Sequence, residues 1–413
     1  MTIGPYSTAT EMLAALRQRT VSSVELLEMH LARIERHNGA LNAIVVPTVD
    51  RARRSAQEAD ERRGRGDDAP LLGLPVTVKE SMLWRGTPST IGLAERAGHQ
   101  SDDDGILVTR LLDAGAVILG KTNIPPWLAD WQADNPVYGR TNNPWDLARS
   151  PGGSTGGGAA ALAAGLTPLE TGSDIGGSVR VPPAFCGVYG HRPSETALPK
   201  SGEFPGTLLP NMAEVLSVAG PLARDAADLK LGFDVLAGPD VGEAAGWRLA
   251  IPAARRERLS DFRVAVLPSV PWLAVDDELL AAQEATVAAL TRAGASVADA
   301  QPKSFGNLTD FYRLYLSLLF GMLTIGLPLD EREEVARAFM PDDYPFSEAM
   351  LDGARASLSD YILMHGRRER YRADLRAFFS EWDILLCPTT IGPAFPHFGY
   401  ETPLGRRTVT LNG

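Results

Sequence analysis

Two short glycine-rich turns each carry a serine: Gly152-Gly153-Ser154-Thr155-Gly156 and Asp174-Ile175-Gly176-Gly177-Ser178. Glycine admits backbone conformations closed to other residues and lets N–H groups approach a bound atom closely. A serine on such a turn is placed as a nucleophile would be, with amide donors at hand for an oxyanion. Either turn by itself is also what a tight corner in a small-residue fold requires.

Two other motif matches compete. Residues 152–156 fit G-x-S-x-G, the nucleophile elbow of α/β-hydrolases, but that elbow needs a strand directly before it, and Asn142–Pro151 (NNPWDLARSP) is polar and broken by proline. None of His191, His365 and His397 stands in a recognisable setting for its base, which counts against the elbow; a serine esterase on the first turn is kept as an alternative. GAVILGKT, Gly115 to Thr122, fits the phosphate-loop pattern G-x-x-x-x-G-K-[ST] letter for letter. Its would-be loop is the apolar run Ala116-Val117-Ile118-Leu119, the composition of a buried parallel strand. Pro125-Pro126 follows where a helix should run. A strand is predicted there, with a nucleotide-binding module as the alternative.

A base for the serines is available in LPVTVK, where period two places Thr77 and Lys79 on one face and Leu74, Val76 and Val78 on the other. Burial of a lysine favours its neutral form. Lowering its pKa from about 10.4 to about 7.5 takes roughly 4 kcal/mol, which desolvation can supply. A lysine at an exposed strand end is the competing expectation.

The elements that must position these groups follow an alternating pattern. A capping box at Ser22-Ser23-Val24-Glu25 starts a helix carrying Leu27, Leu31 and Ile34, with a stop expected at Asn38-Gly39. A strand at Ile44-Val45-Val46 and a solvated connection over 60–70 (DERRGRGDDAP) precede a strand at 72–79, a helix near 104–115 and a strand at 116–119. Next come the small-residue helix GGGAAALAAG, a helix over 226–237, a strand at Arg263–Leu267, an amphipathic helix over 276–293, helical segments near 304–323 and 355–381, and the strand DILLCP. This pattern predicts an α/β fold: a mixed, largely parallel central sheet covered by helices on both sides. We expect a single domain over 1–413, with a core at about 71–236 and an α-rich insertion at about 268–380.

SPGGSTGGGAAALAAG, TGSDIGGSVRVP and FCGVYGHRPS, with LPVTVKE and GAVILGKTN before them and LSVAGPLARDAADL after, resemble the core of the amidase signature family. The resemblance runs from about Leu71 to Leu236, and more loosely over the N-terminal helices and DILLCPTT. It implies the amidase signature fold and a Ser–cis-Ser–Lys triad. Ser178 would be the nucleophile, Ser154 the relay on a cis peptide, and Lys79 the ultimate base. The N–H groups of Ile175, Gly176, Gly177 and Ser178 would form the oxyanion hole, and Asp174 and Arg180 would brace the turn. Thr155 replaces the more usual serine. Leu128 falls at a position lining the acyl pocket; Trp84, Trp127, Leu128 and Trp131 flank the catalytic segments, with Trp127 and Trp131 expected to join Leu128 at the substrate, while Phe311–Leu323 is read as either lid or core. The implied activity is hydrolysis of an amide, anilide or carbamate through an acyl-enzyme, on an apolar or aromatic small molecule, without cofactor. The chain is more similar to aryl acylamidase and urethanase-like members than to tRNA-linked amidotransferase subunits; a glutaminase subunit needing a partner protein is the alternative. The resemblance also implies a missing or divergent C-terminal segment beyond Thr408–Gly413.

Bulk properties narrow the partners. Net charge is −11 over 413 residues, and the sequence pI is about 5.2. Neither nucleic acid nor an anionic membrane is expected as a partner. Cys186 and Cys387 sit in apolar contexts and read as core thiols of a reducing compartment. No basic region followed by an apolar stretch opens the chain, and the apolar segment 314–329 is shorter than a membrane span. The six histidines show no paired ligand spacing, so no metal is expected. A cytoplasmic monomer or homodimer follows.

Overall fold

A computed structural model describes residues 2–206, 215–341 and 343–412; Gly413 of the expected C-terminal break lies outside them. The chain forms two compact units, Met1–Ala250 with Ala394–Tyr400, and Ile251–Pro393 with Glu401–Gly413.

In the first unit, α1 (Ala9–Arg17) and α2 (Ser23–Leu41) both begin on capping boxes, Thr8 with Glu11 and Ser22 with Glu25. The expected stop at Asn38-Gly39 is overridden, and α2 ends on Asn42 at φ 52°. Asn38 instead uses its Oδ1 to accept the N–H groups of Ala43 and Ile44, which fastens the start of β1 (Ile44–Pro47). The stretch expected as a solvated connection is half helical, because α3 spans Val49–Gly64. Ala52, Ala56 and Ala59 are its buried residues. Small apolar residues three and four apart form a stripe that its many charges conceal in the sequence.

The chain continues through β2 (Pro75–Lys79), α4 (Ile106–Asp113), β3 (Val117–Thr122) and the ribbon of β4 (Asp134–Asn135) and β5 (Gly139–Arg140). Then come α5 (Gly156–Ala163), β6 (Leu169–Asp174), α6 (Val181–Cys186), β7 (Tyr189–Gly190), β8 (Val218–Ala223) and α7 (Ala226–Leu236). Six strands make one sheet in the order β1-β3-β2-β6-β8-β7. The centre strands β3, β2 and β6 run parallel, and the strands flanking them pair antiparallel. GAVILGKT is thus largely β3, not a phosphate loop.

Strands covered on both faces must be apolar on both. Val76, Val78 and Ile118 pack with Leu107 and Leu111 of α4, while Val117 and Leu119 pack with Leu27 of α2 and Ala52 and Ala56 of α3. The small residues of α5 let its backbone touch the sheet: a Cβ on Gly157 would lie 2.2 Å from the Asn123 nitrogen.

The second unit holds a three-stranded parallel sheet, β9 (Arg263–Val266) between β10 (Ser296–Asp299) and β11 (Ile384–Leu386). Its helices are α8 (Asp277–Arg292), α9 (Leu308–Leu323), α10 (Leu329–Ala338), α11 (Ser347–Arg355) and α12 (Leu358–Glu381). Leu316 and Phe320 of α9, the segment read as lid or core, pack with Phe346, Met350 and Ala354 in this unit's own core. Among the described residues no helix is long and apolar enough to cross a membrane.

Candidate active site

Lys79 closes β2, the strand between β3 and β6, and is fully buried. Its Nζ lies 2.7 Å from Ser154 Oγ, 2.9 Å from Ser173 Oγ and 3.3 Å from the Ser173 carbonyl oxygen. Burial lowers its pKa to about 8, against the opposing pull of Glu203, Asp174 and Glu170. A neutral amine keeps one lone pair, so one of these hydroxyls can donate its proton to Nζ instead of accepting.

Ser154 is held by backbone geometry. The Gly153–Ser154 peptide is cis, and Gly152 has φ 81°. A Cβ at Gly153 would fall 2.2 Å from the Gln132 carbonyl oxygen, so only glycine fits there. No strand precedes this turn, so the hydrolase-elbow context is absent. Thr155 donates through Oγ1 to the Ser173 carbonyl oxygen at 3.4 Å.

The second turn is organised by Asp174, the last residue of β6. Its carboxylate accepts the N–H groups of Gly177 and Val179, each at 2.9 Å, and two hydrogen bonds from the Arg180 guanidinium at 3.0 and 2.8 Å. Arg192 Nε adds an ion pair at 3.4 Å. Burial pushes the Asp174 carboxyl up, but the Arg180 hydrogen bonds and charge, the Val179 N–H and Arg192 together hold it below the ordinary range. The braces expected at Asp174 and Arg180 are therefore one physical unit.

That unit also takes up one N–H group of the turn. The Gly177 N–H donates to Asp174 Oδ1, whereas among the described residues no acceptor takes the N–H groups of Ile175, Gly176 or Ser178. Ser178 is 5% exposed. Lys79 and Ser154 are brought into direct contact, but no hydrogen bond joins the Ser178 hydroxyl to either among the described residues.

The residues expected to line the substrate lie in different settings. Trp131 donates its indole N–H to the Gly176 carbonyl oxygen at 3.1 Å and is 42% exposed. Trp127 and Leu128 adopt φ 56° and 60°, and Trp127 is 59% exposed. Trp84 is a core residue, with the Arg51 guanidinium 4.0 Å above its ring.

The loop carrying Trp127 is tied down from beneath. Glu80 accepts the N–H groups of Thr90 at 2.6 Å and Ile91 at 3.1 Å, and the hydroxyls of Thr90 and Tyr138. The Trp127 N–H in turn donates to the Ile91 carbonyl oxygen at 3.0 Å. Lys121, the lysine of the phosphate-loop match, is buried and donates to the Pro88 carbonyl oxygen and to Ser89 Oγ. Burial lowers its pKa to about 8 against the pull of Glu80.

Sequence reasoning missed Ser173 and Glu170, both on β6. The signal that singled out Lys79, a polar residue in a strand feeding a glycine turn, is present in Leu169–Asp174 (LETGSD) as well. Among the described residues no cluster of three or more His, Cys, Asp or Glu side chains is placed to hold a metal ion.

The family model described as Amidase matches residues 25–412. An acylamidase of Rhodococcus erythropolis is 33% identical over 95% of this chain and 80% of its own length. One of the subunits of the glutamyl-tRNA(Gln) amidotransferase of Chromohalobacter salexigens is 31% identical over 96% of this chain and 85% of its own. A solved 6-aminohexanoate cyclic dimer hydrolase, complexed with substrate, is 26% identical with a TM-score of 0.77, covering 98% of this chain and 85% of that one.

Proposed function

The chain belongs to the amidase family and is an amide-hydrolysing enzyme; from that premise we propose that it cleaves the C–N bond of an apolar or aromatic small-molecule amide, anilide or carbamate through Lys79, Ser154 and Ser178. The observation that carries this reading is the 2.7 Å contact between the buried Lys79 amine and the Ser154 hydroxyl. A base titrating near pH 8 is neutral often enough to act at physiological pH.

The steps follow from the groups present. Neutral Lys79 takes the proton of Ser154, which takes that of Ser178 as Ser178 Oγ attacks the carbonyl carbon. This requires the Ser178 hydroxyl to turn onto Ser154. The oxyanion is received by the N–H groups of Ile175, Gly176 and Ser178. As the C–N bond breaks, the proton on Lys79 returns through Ser154 to the leaving nitrogen. Water then attacks the acyl ester by the same relay and frees the acid and Ser178. Trp131, fixed against Gly176, gives the substrate an aromatic wall next to the reacting carbonyl.

The test is hydrolysis of an aryl amide, an aryl carbamate and glutamine side by side, with the wild-type protein and Ser178→Ala. Turnover of the aryl substrates that the variant lacks is expected. The likeness to one component of a glutamyl-tRNA(Gln) amidotransferase supports a second reading, a glutaminase working with a partner protein; turnover of glutamine alone would favour it.

A further inference from the structure

Behind Lys79 lies an acid that this mechanism does not use. Glu170 on β6 is fully buried, and its register partner on β2 is Thr77. Its Oε1 accepts the hydroxyl of Thr122 on β3 at 2.7 Å. The register partner of Thr122 is Lys79 itself. The Glu170 side chain therefore crosses the strand that bears the amine, on the face shared by Thr77 and Lys79.

Room for this crossing is built into α5. A Cβ on Gly158 would lie 2.6–2.7 Å from Cγ, Cδ and Oε1 of Glu170. Oε2 of Glu170 and Oγ1 of its register partner Thr77 are buried and make no close hydrogen bond, while the Thr77 hydroxyl lies near enough to favour the carboxylate. Burying an acid with one oxygen short of a close partner costs stability.

We propose that Glu170 is a positioning residue for the reaction: its carboxyl, carried across β2 to Thr122, raises the proton affinity of the Lys79 amine and stabilises the ammonium formed in the proton relay. This rests on the reading of Lys79 as the base. The charged groups around the amine are Glu203, Asp174 and Glu170. Asp174 is committed to Arg180 and Arg192. α5 (GGGAAALA) carries no charged residue, and Lys121 of β3 is bound to Pro88 and Ser89. Burial raises Glu170 to about 7, with Thr77, Thr122 and Lys79 opposing.

The chain has only five lysines, Lys79, Lys121, Lys200, Lys230 and Lys303, so lysine labelled with 15N at Nζ can be titrated by NMR in the whole protein. The Lys79 signal is the one lost in Lys79→Ala. In Glu170→Gln, which keeps an acceptor for Thr122, its midpoint is expected to fall by about 1 pH unit. The acidic limb of kcat/KM moves down with it. A midpoint that stays or rises in folded Glu170→Gln overturns the proposal. If that variant does not fold, Thr122→Val removes the donor favouring the carboxylate and gives a smaller fall; an unchanged midpoint there is equally fatal. The midpoint is read without turnover, whereas the role of Lys79 as base is lost only if Lys79→Ala keeps its activity, so the two failures are distinguishable.

Discussion

Nζ of Lys79 and Oγ of Ser154 stand 2.7 Å apart although 75 residues separate them in the chain. The contact arises because β2 ends beside the turn that precedes α5, and that turn is seated by glycines at which a Cβ would meet Pro182 and the Gln132 carbonyl oxygen. Ser173, at 2.9 Å, gives the amine a second hydroxyl.

Removal of either end of the proposed relay is expected to abolish amide hydrolysis. Lys79→Ala and Ser178→Ala should each lower kcat by at least about 10³-fold. Circular dichroism and thermal melting should show a folded protein in both. Turnover near the wild-type rate in either variant would rule out the relay.

Activity is expected to rise with pH through about 8, the value to which burial lowers Lys79. Stability follows the same sign. An unfolded lysine titrates near 10.5 and the folded one near 8, so between those values the unfolded chain binds the extra proton. Lys79 therefore makes the folded state more stable as pH rises through that window. A pH–kcat/KM profile and urea melts at pH 7.5 and 9.5 check the two parts, the second against Lys79→Met.

Asp174→Ala should destabilise the protein by about 2–3 kcal/mol. The carboxylate is buried, and its loss strands the Gly177 and Val179 N–H groups, but the Arg180 partner is about half exposed and recovers hydration. Urea denaturation measures the loss. Activity should fall further than stability at low urea, since the turn bearing Ser178 is shaped by those bonds.

Gly157→Ala sets helix propensity against packing. Alanine favours a helix interior by about 1 kcal/mol over glycine. The added Cβ would meet the Asn123 nitrogen at 2.2 Å and the Ala43 carbonyl oxygen at 2.6 Å, both backbone atoms. Packing should win, with a net loss of about 3 kcal/mol or more seen as a lowered Tm.

Nucleotide is not expected to bind at Gly115–Thr122. Val117–Thr122 is a strand, and the Lys121 amine is already bonded to Pro88 and Ser89. Calorimetric titration with ATP and magnesium should show no heat of binding; saturable heat lost in Lys121→Met would contradict this.

The candidate site was legible from sequence where chemistry is local. A serine on a glycine turn or a lysine on an apolar strand announces itself in five or six residues, and family resemblance supplied the pairing of Lys79 with Ser154. Helix limits were less legible. Asn38-Gly39 looks like a stop, yet Asn38 caps the backbone beyond the helix; Asp60–Gly64 looks solvated, yet α3 buries an alanine stripe. In both, tertiary partners outweighed a local preference worth less than about 1 kcal/mol per residue.

By itself the sequence determined the alternation of elements, the α/β class and the residue types available for proton transfer, since those follow from period and from side-chain chemistry. Only the folded chain decided which N–H groups of the Ser178 turn stay open, that Trp84 is core while Trp131 lines the turn, and that Glu170 passes behind Lys79. Each of those depends on strand register and on which donor reaches an acceptor first. Such competitions are settled between residues tens of positions apart, and no local window of the chain contains both competitors.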